Sequence, residues 1–204
     1  MVRVRFKTEL LCVLLLLFFC FPRIRPQDAP PAALDASGQI TIDGRSTPYL
    51  IRHLPVNSFP QLPSAVGDTL IRRGCLIPQS YEAHGPENVV HANLERKGSS
   101  DWAVLCSANG AVSLLVFFAG SGEPTILATA PETERLQFHG SSNVLGFNWA
   151  IDPASPEDVH EAQLGMRRPP PRLDHDAIAD SVIDGRTSYH FYSKGAWTLI
   201  DTQD

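Results

Sequence analysis

Asn93-Leu-Glu-Arg-Lys-Gly-Ser-Ser-Asp-Trp-Ala-Val-Leu-Cys-Ser-Ala-Asn-Gly-Ala-Val-Ser-Leu-Leu-Val-Phe-Phe118 is the stretch that decides the fold of this 204-residue chain. It predicts a polar loop, a strand over 102–107, a tight turn and a second strand over 112–118. Asn109-Gly110 favours a two-residue hairpin turn, because both residues accept the positive φ that this turn requires. The second strand is almost entirely apolar, which indicates burial on both faces. We therefore expect this hairpin at the centre of a sheet.

Two cysteines, Cys75 and Cys106, lie outside the N-terminal apolar segment, which holds the other two of the four. Two is the number that allows one bridge, and in an oxidising compartment a disulfide is the expected state. A helix predicted over 60–73 ends just before Cys75, so the bridge would join the end of this helix to the central strand. Two unpaired buried thiols are the alternative.

The N-terminus has the composition of an export signal. Three basic residues within the first seven positions precede a 12-residue apolar core, Leu10 to Phe21. That length suits a signal peptide and is short of the about 17–25 residues that span a bilayer. We predict that residues 1–26 are a signal peptide and that the chain is periplasmic or extracellular. An uncleaved membrane anchor over residues 10–25 is the alternative, because no A-x-A cleavage site follows.

The charge of the remaining chain bears on its partners. Residues 1–26 hold five of the 17 basic residues and one of the 22 acids, so the rest has 12 basic and 21 acidic residues, a formal charge of −9. An acidic body without a Lys/Arg cluster argues against nucleic acid as a partner. We expect contact with a membrane only through the N-terminal segment, if it stays uncleaved.

Strand signals follow one another along the chain without alternating helices. Residues 27–58 are predicted to be a linker with a small hairpin, and residues 59–204 a single domain. We expect about six to eight strands and three short helices, over 60–73, 156–164 and 177–183. This arrangement predicts an α+β fold with a mainly antiparallel sheet and one disulfide.

The loop over residues 93–104 is similar in spacing to a calcium loop of FG-GAP-type repeats, in which alternating oxygen ligands converge on one cation. Asn93, Glu95 and Asp101 keep oxygen atoms at ligand positions. Lys97 places an ammonium group where a ligand belongs, and this cation would repel Ca²⁺. We therefore expect a degenerate, metal-free turn.

Asp174-His175-Asp176 is the densest group of potential metal ligands. Asp180 follows one helical turn after Asp176 in the predicted third helix. A metal site would use Asp174, Asp176 and Asp180. The alternative is that Asp174 or Asp176 caps the helix and the other acids form a solvated face.

Aromatic residues are concentrated near the C-terminus. In a strand, alternation places Tyr189 and Phe191 on one face and His190 and Tyr192 on the other. Tyr189, Tyr192 and Trp197 could therefore form a binding surface. The alternative is that one of these faces belongs to the core.

Three segments resemble an uncharacterised family of small exported bacterial proteins. They are Arg-Arg-Gly-Cys-Leu-Ile-Pro-Gln over 72–79, Ser-Asp-Trp-Ala-Val-Leu-Cys-Ser over 100–107, and Leu-Asp-His-Asp-Ala-Ile over 173–178, followed by the aromatic terminal hairpin. The resemblance covers roughly residues 59–202. It implies a secreted or periplasmic single domain and no particular activity.

The chain carries no nucleophile elbow, phosphate-binding loop or H-E-x-x-H motif. We therefore predict a non-enzymatic domain without a cofactor, whose partner is a protein or a cell-envelope ligand. The alternative is a hydrolase or metal-dependent enzyme that uses the Asp174–Asp176 region.

Overall fold

The computed structural model describes residues 34–164, 166, 169 and 172–201. The predicted signal peptide or anchor, and the start of the predicted linker, lie outside the described residues. Within the described part of the chain, no helix is long and apolar enough to cross a membrane.

Thirteen strands in the described residues form two sheets. The larger sheet contains β1 (Leu34–Ile42), β2 (Arg45–Pro55), β3 (Leu76–Gln79), β4 (Val89–Ala92), β5 (Asp101–Ala108), β6 (Ala111–Phe117), β7 (Thr125–Pro131), β8 (Leu136–Phe138) and β9 (Leu145–Phe147). The smaller sheet contains β10 (Trp149–Ala154), β11 (Ala177–Val182), β12 (Thr187–Ser193) and β13 (Ala196–Asp201).

The strand order in the larger sheet is β7-β6-β5-β3-β2-β9-β8, with β1 paired to β2 and β4 paired to β5. The smaller sheet follows chain order, β10-β11-β12-β13. Every pair is antiparallel except β2 and β9, which run parallel. The predicted α+β class with a mainly antiparallel sheet is therefore confirmed.

Two α-helices are present in the described residues, α1 (Ser64–Arg72) and α2 (Pro156–Ala162). Helix α2 begins with a capping box: the Ser155 hydroxyl accepts from the Asp158 N–H, and the Asp158 carboxylate accepts from the Ser155 N–H. Single 3₁₀ turns cover Val56–Ser58, Phe118–Gly120 and Glu132–Glu134.

The predicted third helix over 177–183 is wrong, because Ala177–Val182 form β11. Ile178 and Val182 fit one helical face at four-residue spacing, but with Asp180 they also fit the two-residue period of a strand. Pairing with β10 on one side and β12 on the other decides between the two periods. The predicted number of strands, six to eight, is also too low, because strands of three or four residues are too short to show alternation.

The predicted central hairpin is confirmed as β5 and β6 joined by Asn109 (φ 53°) and Gly110 (φ 78°). Strand β5 pairs with β3, β4 and β6. Its alternate residues enter two different cores: Leu105 faces the smaller sheet, whereas Val104 and Cys106 face α1. Burial on both faces explains why the hairpin sequence is almost continuously apolar.

The core has three parts, one between each pair of neighbouring layers. Leu114, Trp149 and Ile178 represent the part between the two sheets. Helix α1 covers the other face of the larger sheet through Val66 and Leu70. Helix α2 covers the outer face of the smaller sheet, where its Val159 lies in one cluster with Phe191 of β12 and Ile200 of β13.

The predicted disulfide is confirmed. Cys75 and Cys106 are bonded, with their Cα atoms 5.0 Å apart, and both residues are buried in the core under α1. The bridge joins the residue that follows the C-terminal end of α1 to the middle of the sheet.

Candidate functional site

The loop similar to a calcium loop is held together by its own hydrogen-bond donors. The fully buried Asp101 accepts from the N–H groups of Leu94, Glu95 and Ala119, each at 2.8 Å, and from the Ser99 hydroxyl. These four donors satisfy the carboxylate in the way that a cation would. The loop is thus a structural turn built around one buried acid.

Asn93, the first residue of that loop, is joined to Asp176. The N–H and the side-chain amide of Asn93 both donate to Oδ2 of Asp176 at 2.9 Å. The Asp176 N–H donates in return to the Asn93 carbonyl at 3.0 Å. Asp176 therefore connects the segment before β11 to the larger sheet.

The three carboxylates of the predicted metal site have different surroundings. Asp180 accepts from Trp149 Nε1 at 2.6 Å through one oxygen and lies 2.9 Å from His190 Nε2 through the other. Asp174 is exposed, and Asp176 binds Asn93. Among the described residues, no group of three or more His, Cys, Asp and Glu side chains is arranged to hold a metal ion.

The predicted aromatic surface is divided between two faces of the smaller sheet. Tyr192 and Trp197 lie on the inner face and meet Phe118, with ring centroids 4.8 Å and 5.8 Å from that of Phe118. Tyr189 lies on the outer face under α2, where burial and then the charges of Asp158 and Glu161 raise the pKa of its phenol. Only Tyr192 and Trp197 thus belong to one cluster.

One open hollow of about 470 Å³ brings several of the predicted motifs together. Glu95 from the calcium-like loop, Asp174 from the acidic segment and Tyr192 from the aromatic hairpin all line it, with Lys194 at the β12–β13 turn. The hollow is also lined by Arg96, which is already paired with Glu95 at 3.5 Å.

A Ser, a His and a Glu also meet in the larger sheet. Glu132 Oε1 lies 2.8 Å from His53 Nε2 and accepts from the Ser107 hydroxyl. In a catalytic triad the hydroxyl binds the imidazole, which removes its proton. Here the hydroxyl binds the carboxylate, so this group has the connectivity of a structural cluster.

The most distinctive feature at the surface is a stacked pair of half-buried side chains, Tyr81 and His139, which the sequence patterns do not indicate. The ring centroids are 4.7 Å apart and the planes differ by 12°. The Tyr81 hydroxyl donates to Asp184 Oδ2 at 2.9 Å. Burial, followed by this hydrogen bond and the charge of Asp184, raises the Tyr81 pKa to about 12. Tyr81 therefore stays a neutral donor at physiological pH.

Backbone contacts fix the position of this pair. The Tyr81 N–H donates to the Phe147 carbonyl at 2.9 Å. A Cβ atom on Gly146 would lie 2.5 Å from Cβ of Tyr81, so only glycine allows this approach. The loop after β3 is thereby held against β9.

We call the two hollows that share Tyr81 and His139 the ridge cleft. The first, of about 390 Å³, has a mainly apolar lining that includes Leu50, Val144, Leu145 and Phe147, and Arg52 also lines it. The second, of about 490 Å³, has two acids on its wall, Glu82 and Asp184, together with His84. The stacked rings thus line both a mainly apolar hollow and an acidic one.

Sequence patterns carry little signal for the ridge cleft. Tyr81 lies in the polar loop between β3 and β4, His139 follows β8, and Asp184 lies in the β11–β12 turn. Loops have no periodicity from which a side-chain direction follows. The sequence signal that could have indicated this cleft is a pair of histidines in polar loops, His84 and His139, each followed directly by glycine.

No protein-family model matches this sequence, and the searches of curated proteins and of solved structures returned no match. The class of protein that fold and cleft define is an α+β domain with a Cys75–Cys106 disulfide and an open surface cleft.

Proposed function

We propose that this protein is an exported, non-enzymatic binding domain whose ridge cleft takes an extended segment of a partner protein. Export is supported by the composition of residues 1–26 and by the resemblance of residues 59–202 to a family of small exported bacterial proteins. The Cys75–Cys106 disulfide is consistent with an oxidising compartment. The single observation that carries the binding role is the stacked Tyr81–His139 pair that lines two hollows of different character.

The lining of the two hollows determines the ligand that fits. Leu50 is 47% exposed and lies with other apolar side chains in the first hollow, so an apolar ligand side chain would gain by covering it. Glu82 and Asp184 place negative charge in the second hollow, which favours a basic side chain. The ligand chemistry is therefore an apolar residue close to a basic one.

Because the two hollows share Tyr81 and His139, we expect the two ligand residues to lie close together in the ligand sequence. In an extended peptide, side chains two residues apart point to the same side and lie about 7 Å apart. A strand laid across the stacked rings would place one such side chain in each hollow. We expect the motif leucine, any residue, then lysine or arginine.

Peptide binding measured by fluorescence anisotropy tests this function. We expect a Leu-x-Lys peptide to bind with a Kd of about 1–100 µM, and Leu-x-Glu and Gly-x-Lys peptides to bind at least about tenfold more weakly. Glu82→Gln should weaken the Leu-x-Lys peptide and leave a Leu-x-Gln peptide unchanged. Asp174→Asn, which removes an exposed acid outside the cleft, is the matched control.

Tyr81→Ala removes one of the two rings that the hollows share and should abolish discrimination among the peptides. The near-ultraviolet circular dichroism of the Tyr81→Ala variant would show whether it retains the fold. If this variant does not fold, Glu82→Gln tests the proposal instead. Equal affinity of the wild type for the Leu-x-Lys, Leu-x-Glu and Gly-x-Lys peptides, or equal effects of Glu82→Gln and Asp174→Asn, would contradict the proposal.

The alternative from the sequence, a hydrolase or metal-dependent enzyme that uses the Asp174–Asp176 region, has weaker support. Both oxygens of Asp180 have hydrogen-bond partners, and Asp176 binds Asn93. A protein that turned over a substrate and lost activity in Asp174→Asn would favour that alternative over peptide binding.

A further inference from the structure

A third hollow lies at one end of the space between the two sheets and combines charges in an unusual way. Strand alternation and register place Asp180, Ser188, His190 and Asp201 on the same face of the smaller sheet. Their side chains line this hollow, which has a volume of about 230 Å³. It is distinct from the ridge cleft, which these four residues do not line.

The acids of this hollow already have partners. Trp149 Nε1 and His190 Nε2 occupy the two oxygens of Asp180, and the Trp149 ring is fully buried. The Ser188 hydroxyl donates to Asp201. Asp180 is thereby held in place by its partners, and Asp201 is the acid that remains exposed at the edge.

Two arginines line the same hollow, and neither is neutralised. The Arg135 guanidinium carbon lies 4.1 Å from the centre of the Trp149 ring. This is its only side-chain interaction within the described residues. The side chain of Arg186, in the β11–β12 turn, has no hydrogen bond or ion pair in the described part of the chain, although its carbonyl accepts from the Val182 N–H. Two guanidinium groups thus reach one hollow without a carboxylate partner.

We propose that this hollow is a binding site for an oxoanion group, the chemistry shared by phosphate, sulfate and carboxylate, with Arg135 and Arg186 as its ligands. A guanidinium presents five N–H donors in a planar fork, which matches the geometry of two anion oxygens. The contact with the buried Trp149 ring restricts the Arg135 side chain before the ligand arrives, so less conformational entropy is lost on binding.

Titration of the full chain with inorganic phosphate, sulfate and acetate, followed by the NMR signals of the arginine Nε–H groups, tests this site. We expect saturable shifts at Arg135 and Arg186 with a Kd of roughly 1 mM for at least one of the three anions. Arg186→Gln and Arg135→Lys should each weaken that anion at least about fivefold, since lysine keeps the charge but lacks the fork.

Two further variants separate a specific site from general attraction to positive charge. Arg73→Gln removes an exposed arginine at the end of α1 and should leave the affinity unchanged. Asp201→Asn removes the acid that opposes the anion and should tighten binding about two- to fivefold. Chloride at the same ionic strength is the control for screening.

Shifts that do not saturate, or a loss of affinity in Arg73→Gln equal to that in Arg186→Gln, would overturn the proposal. Weaker anion binding in Asp201→Asn would also overturn it. If Asp201 only supported the structure of the hollow, its replacement would lower the affinity, whereas removal of an acid that repels the anion raises it. The three probes also distinguish the source of the group, since preference for acetate indicates a carboxylate ligand and preference for phosphate or sulfate a tetrahedral one.

Discussion

Asn88 joins the two sheets through a single buried side chain. Its amide nitrogen donates to the carbonyls of Pro78 (2.8 Å) and Trp149 (3.3 Å), and its amide oxygen accepts from the Ile151 N–H (3.0 Å). Its own carbonyl accepts from the Leu105 N–H. The side chain therefore satisfies backbone groups in both sheets that would otherwise be buried without partners.

Replacing Asn88 by alanine should lower the free energy of unfolding by about 2–4 kcal/mol, because it leaves buried backbone groups unsatisfied and also forces alanine into a positive φ. Asn109→Ala is the matched control, since Asn109 also has a positive φ (53°, against 67° at Asn88) but an exposed side chain. That change should cost only about 1 kcal/mol. Urea unfolding at pH 7 measures both, and equal losses would show that the side chain of Asn88 adds nothing.

Glu132 makes stability depend on pH. The hydrogen bond from His53 is the main cause that holds its pKa below the usual 4.5, and the Ser107 hydroxyl adds to this effect. A carboxyl whose pKa is lower in the folded state stabilises the fold above its unfolded pKa. This contribution is lost as the pH falls through the folded pKa. The side chain is 15% exposed, so screening by solvent is limited.

Glu132→Gln should lower the free energy of unfolding at pH 7 by about 1–3 kcal/mol, the range for hydrogen bonds to charged groups. The difference between wild type and variant should shrink between pH 7 and pH 3, because the wild-type carboxyl becomes protonated. Glu134→Gln, two residues further and exposed, should show no such change. A constant difference across this pH range would contradict the assigned role.

Among the structural elements, α1 depends most on a single covalent bond. Cys75 follows its C-terminal end, and Cys106 lies in β5, 31 residues further along the chain. Cross-linking a loop of this length restricts the unfolded chain and stabilises the fold by roughly 3–4 kcal/mol in the chain-entropy model. Helix α1 also contributes Val66 and Leu70 to the same core.

The double variant Cys75→Ala/Cys106→Ala should therefore unfold with a free energy about 2–4 kcal/mol below that of the oxidised wild type. Guanidinium unfolding with and without dithiothreitol measures this difference. The reductant should destabilise the wild type and leave the double variant unchanged. A wild type that is insensitive to the reductant, while its thiols are shown to be free, would remove the stabilising role of the bridge.

At the scale of the whole molecule, the layers are joined at polar points as well as by the core. Asn88 connects β10 to β3, and the Asn93–Asp176 pair connects the larger sheet to the segment before β11. The β11–β12 turn carries Asp184 to the ridge cleft and Arg186 to the proposed oxoanion site. Both proposed sites thus depend on how the two sheets are held together.

Export of the whole chain is testable by mass spectrometry of its N-terminus after expression in a bacterium that secretes through a signal peptidase. We expect the protein in the periplasm or medium, with a mature N-terminus near residue 27 and an oxidised Cys75–Cys106 pair. An intact N-terminus in the membrane fraction would favour the anchor over residues 10–25. Full-length protein in the cytoplasm with reduced cysteines would contradict export.

Much of the fold could be predicted wherever a local pattern has one solution. The Asn109-Gly110 turn, the burial of both hairpin faces and the N-terminal end of α2 at Ser155 all follow from neighbouring residues. The segment 177–183 could not be assigned in this way, because Ile178 and Val182 fit a helix and a strand equally well. Pairing with β10 and β12 supplied the missing information.

The candidate sites were less predictable than the fold. Of the singled-out residues, Asp101 and Asp176 serve as hydrogen-bond acceptors for the backbone, while Tyr189 and Tyr192 separate onto opposite faces. Asp174 and Tyr192 do share one hollow. Spacing within a segment shows which residues share a face, but it does not show what packs against that face.

The sequence by itself determined the class of fold, the central hairpin and the pairing of Cys75 with Cys106, because these depend on periodicity, turn conformation and cysteine number. Only the tertiary structure decided where ligand chemistry collects. Tyr81 and Asp184 are 103 residues apart in the chain, yet they share a hydrogen bond. Such contacts arise from packing between distant loops, for which short-range patterns carry no information.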